Sequence, residues 1–188
     1  GNPKRYEEET MKMTLIAITN GHIFDTAKGD WIHDGVILAD DGIITAAGQK
    51  KAVAIPPQAQ IIDVVGGFVV PGLIDCHNHL GIDEDEVRQL SEPDDITMWR
   101  SLRNARYQLQ DGVTTFRDCG AKHGIDIHLR ELISKGQAYG PRLLCSGPWI
   151  TTTHGHCAYP QMLVVDGVDE VRKAVRQVIR MGADLVKL

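Results

Sequence analysis

The chain has 188 residues, of which 43% are hydrophobic and 24% are charged, and its formal net charge is −5 at pH 7. This composition is typical of a globular protein large enough for one or two domains with a buried core. The negative charge and the lack of Lys or Arg runs argue against a nucleic-acid partner, and the lack of an apolar stretch near ~20 residues argues against a membrane partner.

Four cysteines are spread widely along the chain without a CxxC pair. Such spacing disfavours a disulfide framework or a cysteine-rich zinc site. Three of the four end apolar, strand-like runs, where a reduced and buried thiol is the expected role. No secretory h-region opens the sequence. We therefore predict a cytoplasmic protein, unless an export signal has been removed.

The N-terminal third of the chain has a β pattern. Residues 1–12 are polar and without periodicity, so we interpret them as a tag or a disordered terminus. Residues 13–67 then contain short runs rich in Ile, Val and Leu, and we predict a small β-sandwich subdomain there. The dipeptides Asn20-Gly21, Asp41-Gly42 and Gly66-Gly67 predict hairpins. The predicted strands are Met13–Thr19, Gly35–Ala39, Ile43–Ala47 and Ile61–Val65.

From Phe68 onward, apolar strand-like segments alternate with helical patterns. The apolar run from Phe68 to Ile74 leads into His77 and His79, whose side chains point the same way if the run is a strand. Two imidazoles on one face can share a metal ion such as zinc. A bare HxH pair is explained about as well by one exposed and one core histidine.

Apolar residues at helical spacing predict helices over residues 94–110, 125–136 and 168–181. Pro93 precedes the first helix and Asp111-Gly112 ends it, while Gly182 caps the third. The sequence also predicts three further strands, at Val113–Cys119, Arg142–Ile150 and Ala183–Leu188.

Four strands joined by helices imply a parallel sheet. Because the active site of a (β/α)₈ TIM barrel lies at the carboxyl ends of its strands, we predict the first four βα units of such a barrel over residues 68–188. A doubly wound open sheet is the alternative, but no glycine-rich phosphate loop follows the first strand. The remaining half of the barrel is expected from the same or a second chain. The polar residues at the strand ends are His77, His79, Asp118, His154, His156 and Lys187.

These residues resemble the amidohydrolase superfamily of metal-dependent hydrolases. The resemblance runs from about Met13 to Leu188. Within the superfamily, the chain is most similar to the prolidase-related dipeptidases and the imidazolonepropionase-like branch. The motifs that carry the resemblance are VVPGLIDCHNHL, GVTTFRDCG, GPRLLCSGPWITTTHGH and GADLVKL.

The resemblance implies roles for three residues. His77 and His79 match the pair that ligates the more buried metal, and Lys187 matches the lysine that carbon dioxide carboxylates so that it bridges two metals. The implied cofactors are two divalent metal ions, with zinc expected, and carbon dioxide as a lysine carbamate. The implied nucleophile is a metal-activated hydroxide. The family's other ligands and its proton-accepting aspartate would lie beyond Leu188.

Further residues are candidates for supporting roles. His156 is a candidate for substrate binding, and His154 is a weaker one because relatives often carry glycine at its position. Asp118 either orients a metal ligand through a hydrogen bond or caps its strand end. Trp149 either lines the pocket or packs beneath the loop that follows it.

We therefore expect a hydrolase that cleaves an amide C–N bond of a small substrate, such as a dipeptide or an N-acyl amino acid, in the manner of an Xaa-Pro dipeptidase. A cyclic amide hydrolase or deaminase of the imidazolonepropionase type is a second hypothesis, although its mononuclear members typically lack the lysine. A truncated, non-catalytic scaffold of the same fold is a third. The expected partner is a small-molecule substrate, and homo-oligomers are common among relatives.

Overall fold

The computed structural model describes residues 15–85 and 91–188. The predicted loose terminus, residues 1–12, therefore lies outside the described residues. The chain divides into two compact units, and the boundary between them lies between Pro71 and Gly72. In the described part of the chain, no helix is long and apolar enough to cross a membrane.

The N-terminal unit is a mixed β-sheet. Three strands form an antiparallel ladder in the order β3-β2-β1, and two short strands, β4 and β5, pair parallel to the other edge of β1. Within residues 15–71 this is one five-stranded sheet, so the predicted β-sandwich is wrong for these residues. The reason is that the two short strands extend the sheet at β1 instead of forming a second layer. The strands are β1 Ile16–Asp25, β2 Asp30–Asp40, β3 Ile43–Gln49, β4 Gln60–Asp63 and β5 Phe68–Val69.

The three predicted hairpins have different outcomes. The turn at Asp41-Gly42 is confirmed, with positive φ at both residues, and it joins β2 to β3. The hairpin at Asn20-Gly21 is wrong, because Asn20 takes its φ of 58° inside β1, where the register shifts between Ile18 and Gly21. An Asn-Gly pair tolerates positive φ, which serves a β-bulge as well as a turn. The chain does turn at Gly66-Gly67, but the predicted hairpin is wrong there as well. The strands on either side of this turn, β4 and β5, both pair with β1 and not with each other.

The C-terminal unit contains a parallel sheet flanked by helices. The sheet has three strands in the order β6-β7-β8, and a separate short parallel pair joins β9 to β10. Parallel neighbours in which a helix connects successive strands are the expected βαβ arrangement. The elements are β6 Leu73–Asn78, α1 Asp94–Gln110, β7 Val113–Asp118, α2 Ile125–Ser134, β8 Arg142–Cys145, β9 Ile150–Thr151, β10 Leu163–Val164 and α3 Gly167–Met181.

Helices α1 and α3 end where the sequence predicts, whereas α2 ends at Ser134, two residues before its predicted limit. Helix α1 spans the predicted residues 94–110, with Pro93 at its N-cap and Asp111 at its C-cap. Helix α3 is capped by Gly182, whose φ of 97° is the left-handed conformation that glycine adopts just after a helix. Between sheet and helices, Phe116 of β7 and Leu129 of α2 are fully buried in the main apolar cluster.

Two predicted strands differ from the structure. The strand expected at Arg142–Ile150 is broken, because Gly147 has a φ of 66° and Pro148 has no backbone N–H to donate. The fourth strand, expected at residues 183–188, is an irregular segment. It still follows the sheet, since the Asp184 N–H donates to the Cys145 carbonyl at 2.8 Å. Among the described residues the sheet is therefore open and three-stranded, short of the four strands predicted for the half-barrel.

Candidate active site

A pocket of about 260 Å³ lies beyond the carboxyl end of β6. It brings together four of the predicted site residues, His77, His79, His156 and Lys187, although they come from distant parts of the C-terminal unit. A parallel sheet collects the carboxyl ends of its strands at one edge, which explains the convergence. The lining residues are His77, His79, Ile82, Trp149, Ile150, Thr151, His156, Cys157, Lys187 and Leu188.

His77 and Lys187 are in direct contact although 110 residues separate them in sequence, with 3.2 Å between Nε2 of His77 and Nζ of Lys187. His77 is the penultimate residue of β6. Lys187 is held in place through its backbone, because the Ile150 N–H donates to the Lys187 carbonyl at 2.9 Å. The amine of Lys187 therefore lies beside the histidine pair, although the segment that contains Lys187 is not a regular strand.

His79 follows the end of β6 and is half-buried, with its imidazole ring 6.0 Å from that of His77 between centroids. Its Nδ1 is 2.9 Å from the Gly120 carbonyl oxygen, which can only accept a hydrogen bond. This contact assigns the proton to Nδ1, so Nε2 is the ring nitrogen that carries the lone pair. The ring of Trp149 packs edge-on against His79, with 5.8 Å between centroids. Sequence reasoning missed the Gly120 contact, because nothing in a lone glycine indicates that its carbonyl meets a histidine.

Asp118 lies behind His79 and is fully buried at the end of β7. Its carboxylate accepts hydrogen bonds from the backbone N–H groups of Leu80 and Gly120, both at 3.1 Å, and it lies 3.9 Å from Nδ1 of His79. Burial, reinforced by the nearby Asp126, raises the pKa of Asp118 well above its usual value. The aspartate thus binds the backbone on both sides of the histidine and caps its strand end, whereas 3.9 Å from Nδ1 is too long for a hydrogen bond to the imidazole.

A second buried carboxyl group, that of Asp126, was not singled out from the sequence. Its Oδ2 accepts a hydrogen bond from the Gly147 N–H at 2.8 Å, whereas its buried Oδ1 has no hydrogen-bond partner among the described residues. Burial raises the pKa of Asp126 from 3.8 to about 6. The only sequence signal was an acidic residue in the first turn of α2, which normally indicates a solvated helix N-terminus.

The Asp126→Asn substitution is expected to flatten the pH dependence of stability. Because the pKa is raised to about 6 in the folded state, the folded chain binds more protons than the unfolded chain between about pH 4 and 6. The free energy of unfolding therefore falls as pH rises through this window, by about 3 kcal/mol for this group. Urea unfolding from pH 4 to 7 measures the slope. The exposed Asp40→Asn is the control, and an unchanged slope in Asp126→Asn would refute the assignment.

The two loop histidines are placed differently. His156 lines the pocket, and its Nε2 lies 3.3 Å from Sγ of Cys157. His154 is exposed, has a φ of 58°, and lies outside the pocket lining. Trp149 is buried, lines the pocket and donates its indole N–H to the Cys157 carbonyl at 2.9 Å, so the structure shows both of its predicted positions.

The donor set fits part of a metal site. Two imidazoles and one amine face the same pocket, and neutral imidazole is a common ligand of zinc and its neighbours. Within residues 15–85 and 91–188, no group of three His, Cys, Asp or Glu side chains is close enough to hold a metal. The two histidines thus need Lys187, or groups from elsewhere, to complete a coordination sphere.

The fold and the pocket define a class of protein: an α/β protein with an HxH pair at the end of one parallel strand and a lysine contacting it from a later segment. Residues 68–188 match the amidohydrolase family, and the chain belongs to that family.

Similar proteins include an ochratoxinase, a prolidase and a Xaa-Pro dipeptidase. Ochratoxinase from Aspergillus niger is 28% identical over 193 residues, which cover 85% of this chain and 39% of that protein. A crystal structure of a prolidase complexed with N-methylphosphonate-L-proline is similar with a TM-score of 0.82 and 31% identity, covering 93% of this chain and 46% of that one. A Xaa-Pro dipeptidase with bound methionine is similar with a TM-score of 0.80 and 28% identity, covering 92% of this chain and 46% of that one. The chain thus spans less than half the length of these relatives.

Proposed function

We propose that the complete protein is a metal-dependent amidohydrolase that cleaves the amide C–N bond of a dipeptide or an N-acyl amino acid, with Xaa-Pro dipeptides as the first substrates to test. The observation that carries this proposal is the 3.2 Å contact between His77 and Lys187 beside His79. The similarity to a prolidase and to a Xaa-Pro dipeptidase supports the substrate class. We also propose that the open sheet continues into a (β/α)₈ barrel in the complete protein, of which this chain supplies the first βα units.

We propose that His77, His79 and Lys187 hold two divalent metal ions, with zinc as the expected metal. When bound, such ions supply Lewis acidity, which polarises a carbonyl group and makes a water molecule more acidic. The protein residues prepare this site in advance. The Gly120 carbonyl and the Trp149 ring restrict the orientation of His79, so its imidazole is held at the pocket wall with few accessible rotamers.

Lys187 poses an electrostatic problem that carboxylation solves. An ammonium group 3.2 Å from Nε2 of His77 would repel any cation bound by that imidazole. In the proposed modification the amine nitrogen forms a bond to the carbon of carbon dioxide and loses a proton, which gives a carbamate with one negative charge. The carbamate replaces a positive charge with oxygen ligands suited to a divalent ion.

We propose that His156 binds the substrate carboxylate, because it lines the pocket together with the apolar walls Ile82, Trp149 and Ile150. A positively charged or hydrogen-bonding imidazole recognises a carboxylate, while the apolar walls accept a small side chain or a proline ring. His154 lies outside this lining, and we assign it no contact with substrate.

The test is hydrolysis of Xaa-Pro dipeptides and N-acetyl amino acids by the complete gene product, purified with zinc. We expect turnover that a chelator abolishes and that zinc or another divalent metal restores. The matched control is the same dipeptide with its C-terminal carboxylate converted to an amide, which should be a much poorer substrate if His156 binds the carboxylate. Hydrolysis that survives complete removal of metal would refute the proposal, as would a lack of hydrolysis in the zinc-loaded protein.

A second candidate function is the opening of a cyclic amide. It is favoured by shorter matches to imidazolonepropionase from Rhizobium rhizogenes, 36% identical over 63 residues that cover 32% of this chain and 16% of that protein. A match to dihydroorotase from Ruminiclostridium cellulolyticum is 44% identical over 66 residues, covering 35% of this chain and 14% of that protein. The same protein assayed with cyclic amides distinguishes the two functions, since ring opening without dipeptide cleavage would favour the second.

A further inference from the structure

Two histidines from neighbouring strands meet in the N-terminal unit. His22 lies on β1 and His33 on β2, and their Nδ1 atoms are 2.9 Å apart. The ring centroids are 4.9 Å apart and the ring planes are at 77° to each other. The two side chains are therefore direct neighbours, although 11 residues separate them in sequence. No local motif could reveal this contact, because it depends on the pairing register of two strands.

The backbone holds this pair in place. The register between β1 and β2 shifts between Gly21 and Ile23, so β2 has an extra residue opposite His22. Asp34, in this bulge, has a φ of 47°, and a bulge of this kind redirects a neighbouring side chain. On its other side, His22 is fixed by β5, because its N–H donates to the Gly67 carbonyl at 2.9 Å.

The distance between the two nitrogens fits metal chelation. Two cis ligands of a tetragonal metal ion with metal–nitrogen bonds of ~2.0 Å are separated by roughly 2.9 Å, whereas tetrahedral ligands are separated by about 3.3 Å. The two Nδ1 atoms are 2.9 Å apart, a distance at which the rings share a hydrogen bond when no metal is bound and which is close to the separation of two cis ligands in the tetragonal case. We propose that His22 and His33 form a surface site for a divalent transition metal that prefers tetragonal nitrogen coordination, Cu²⁺ or Ni²⁺, with Nδ1 of each imidazole as ligand and water at the remaining positions.

The site is accessible and separate from the candidate active site. His33 is exposed and His22 is half-buried, so an ion and its water ligands can reach the nitrogens from solvent. Phe68 packs against His22 with 5.0 Å between ring centroids, which limits the rotamers of that imidazole. A partly fixed ligand loses less side-chain entropy when it binds. Both histidines belong to the N-terminal unit, so this proposal is independent of the proposed hydrolase function.

The experiment is a Cu²⁺ titration of the complete gene product in a His77→Gln/His79→Gln/His156→Gln background, which removes the three imidazoles that line the pocket. Isothermal calorimetry with a competing chelator gives the affinity, and electron paramagnetic resonance reports tetragonal nitrogen coordination. We expect one site whose affinity falls roughly a hundredfold in either His22→Gln or His33→Gln, because two linked ligands exceed one by the effective concentration of the second. His128→Gln, an exposed single histidine on α2, is the control and should leave the affinity unchanged.

Melting temperature and near-UV circular dichroism distinguish a loss of Cu²⁺ binding from misfolding of a variant. Ligand binding to the folded state raises the melting temperature, so Cu²⁺ should stabilise the parent but neither single variant. Near-UV circular dichroism confirms that all three fold alike. The proposal is overturned if His22→Gln and His33→Gln bind Cu²⁺ as tightly as the parent does. It is also overturned if His128→Gln loses as much affinity as they do.

Discussion

The Lys187→Ala substitution in the complete gene product is expected to lower kcat/KM for amide hydrolysis by roughly a thousandfold or more, because residues that act as one catalytic unit fail together. Lys187 contacts His77 at 3.2 Å and lines the same pocket as His79. Alanine removes the amine that is proposed to carry the carbamate, and with it the anionic ligand of the site. The metal content should fall together with activity, because the two histidines alone are a weak donor set.

Enzyme kinetics and metal analysis of the purified variant measure this result. Lys173→Ala removes an exposed lysine on α3 and is the matched control for charge. A carboxylated lysine makes one further prediction: a short-chain carboxylic acid added to Lys187→Ala should restore part of the activity, since it supplies oxygen ligands in the space left by the side chain. Unchanged metal stoichiometry and turnover in Lys187→Ala would refute the bridging role.

Much of the C-terminal unit could be predicted because its signals are local. Helix α1 has an apolar stripe bounded by Pro93 and Asp111-Gly112, and its limits are as predicted. The alternation of strands and helices places His77 and Lys187 at the same edge of a parallel sheet, and the structure has them in contact. The metal-ligand roles of His77, His79 and Lys187 stay predictions, as does the substrate-binding role of His156.

The remaining features depend on contacts between distant residues. Asn20-Gly21 has the same dihedral tolerance in a bulge as in a hairpin, so the dipeptide alone could not exclude a continuous β1. The sandwich prediction is wrong because β4 and β5 pair with β1. Strand propensity does not specify which strand is the partner. The 3.9 Å approach of Asp118 to His79 likewise requires the register of β6 and β7.

Gly120 connects the candidate site to the stability of the C-terminal unit. It has a φ of 149°, and a Cβ atom added there would lie 2.2 Å from Cε3 of Trp149. Its carbonyl accepts the hydrogen bond from His79, and its N–H donates to Asp118 at 3.1 Å. Both the backbone conformation and the close approach of the indole ring therefore require glycine.

The Gly120→Ala substitution is expected to destabilise the protein by about 2–4 kcal/mol, since overpacking and an unfavourable φ add together. The loss should appear as a fall of roughly 5–15 °C in melting temperature, with reduced metal retention because His79 loses its alignment.

Gly136→Ala is the matched control: Gly136 has a φ of 68° but no atom within 4 Å of an added Cβ, so only the backbone cost of about 1 kcal/mol applies. In the double variant Gly120→Ala/Trp149→Ala, removal of the indole relieves the clash. Its destabilisation should therefore be smaller than the sum of the two single effects. Additive effects, or equal losses at Gly120 and Gly136, would show that the indole does not dictate glycine at this position.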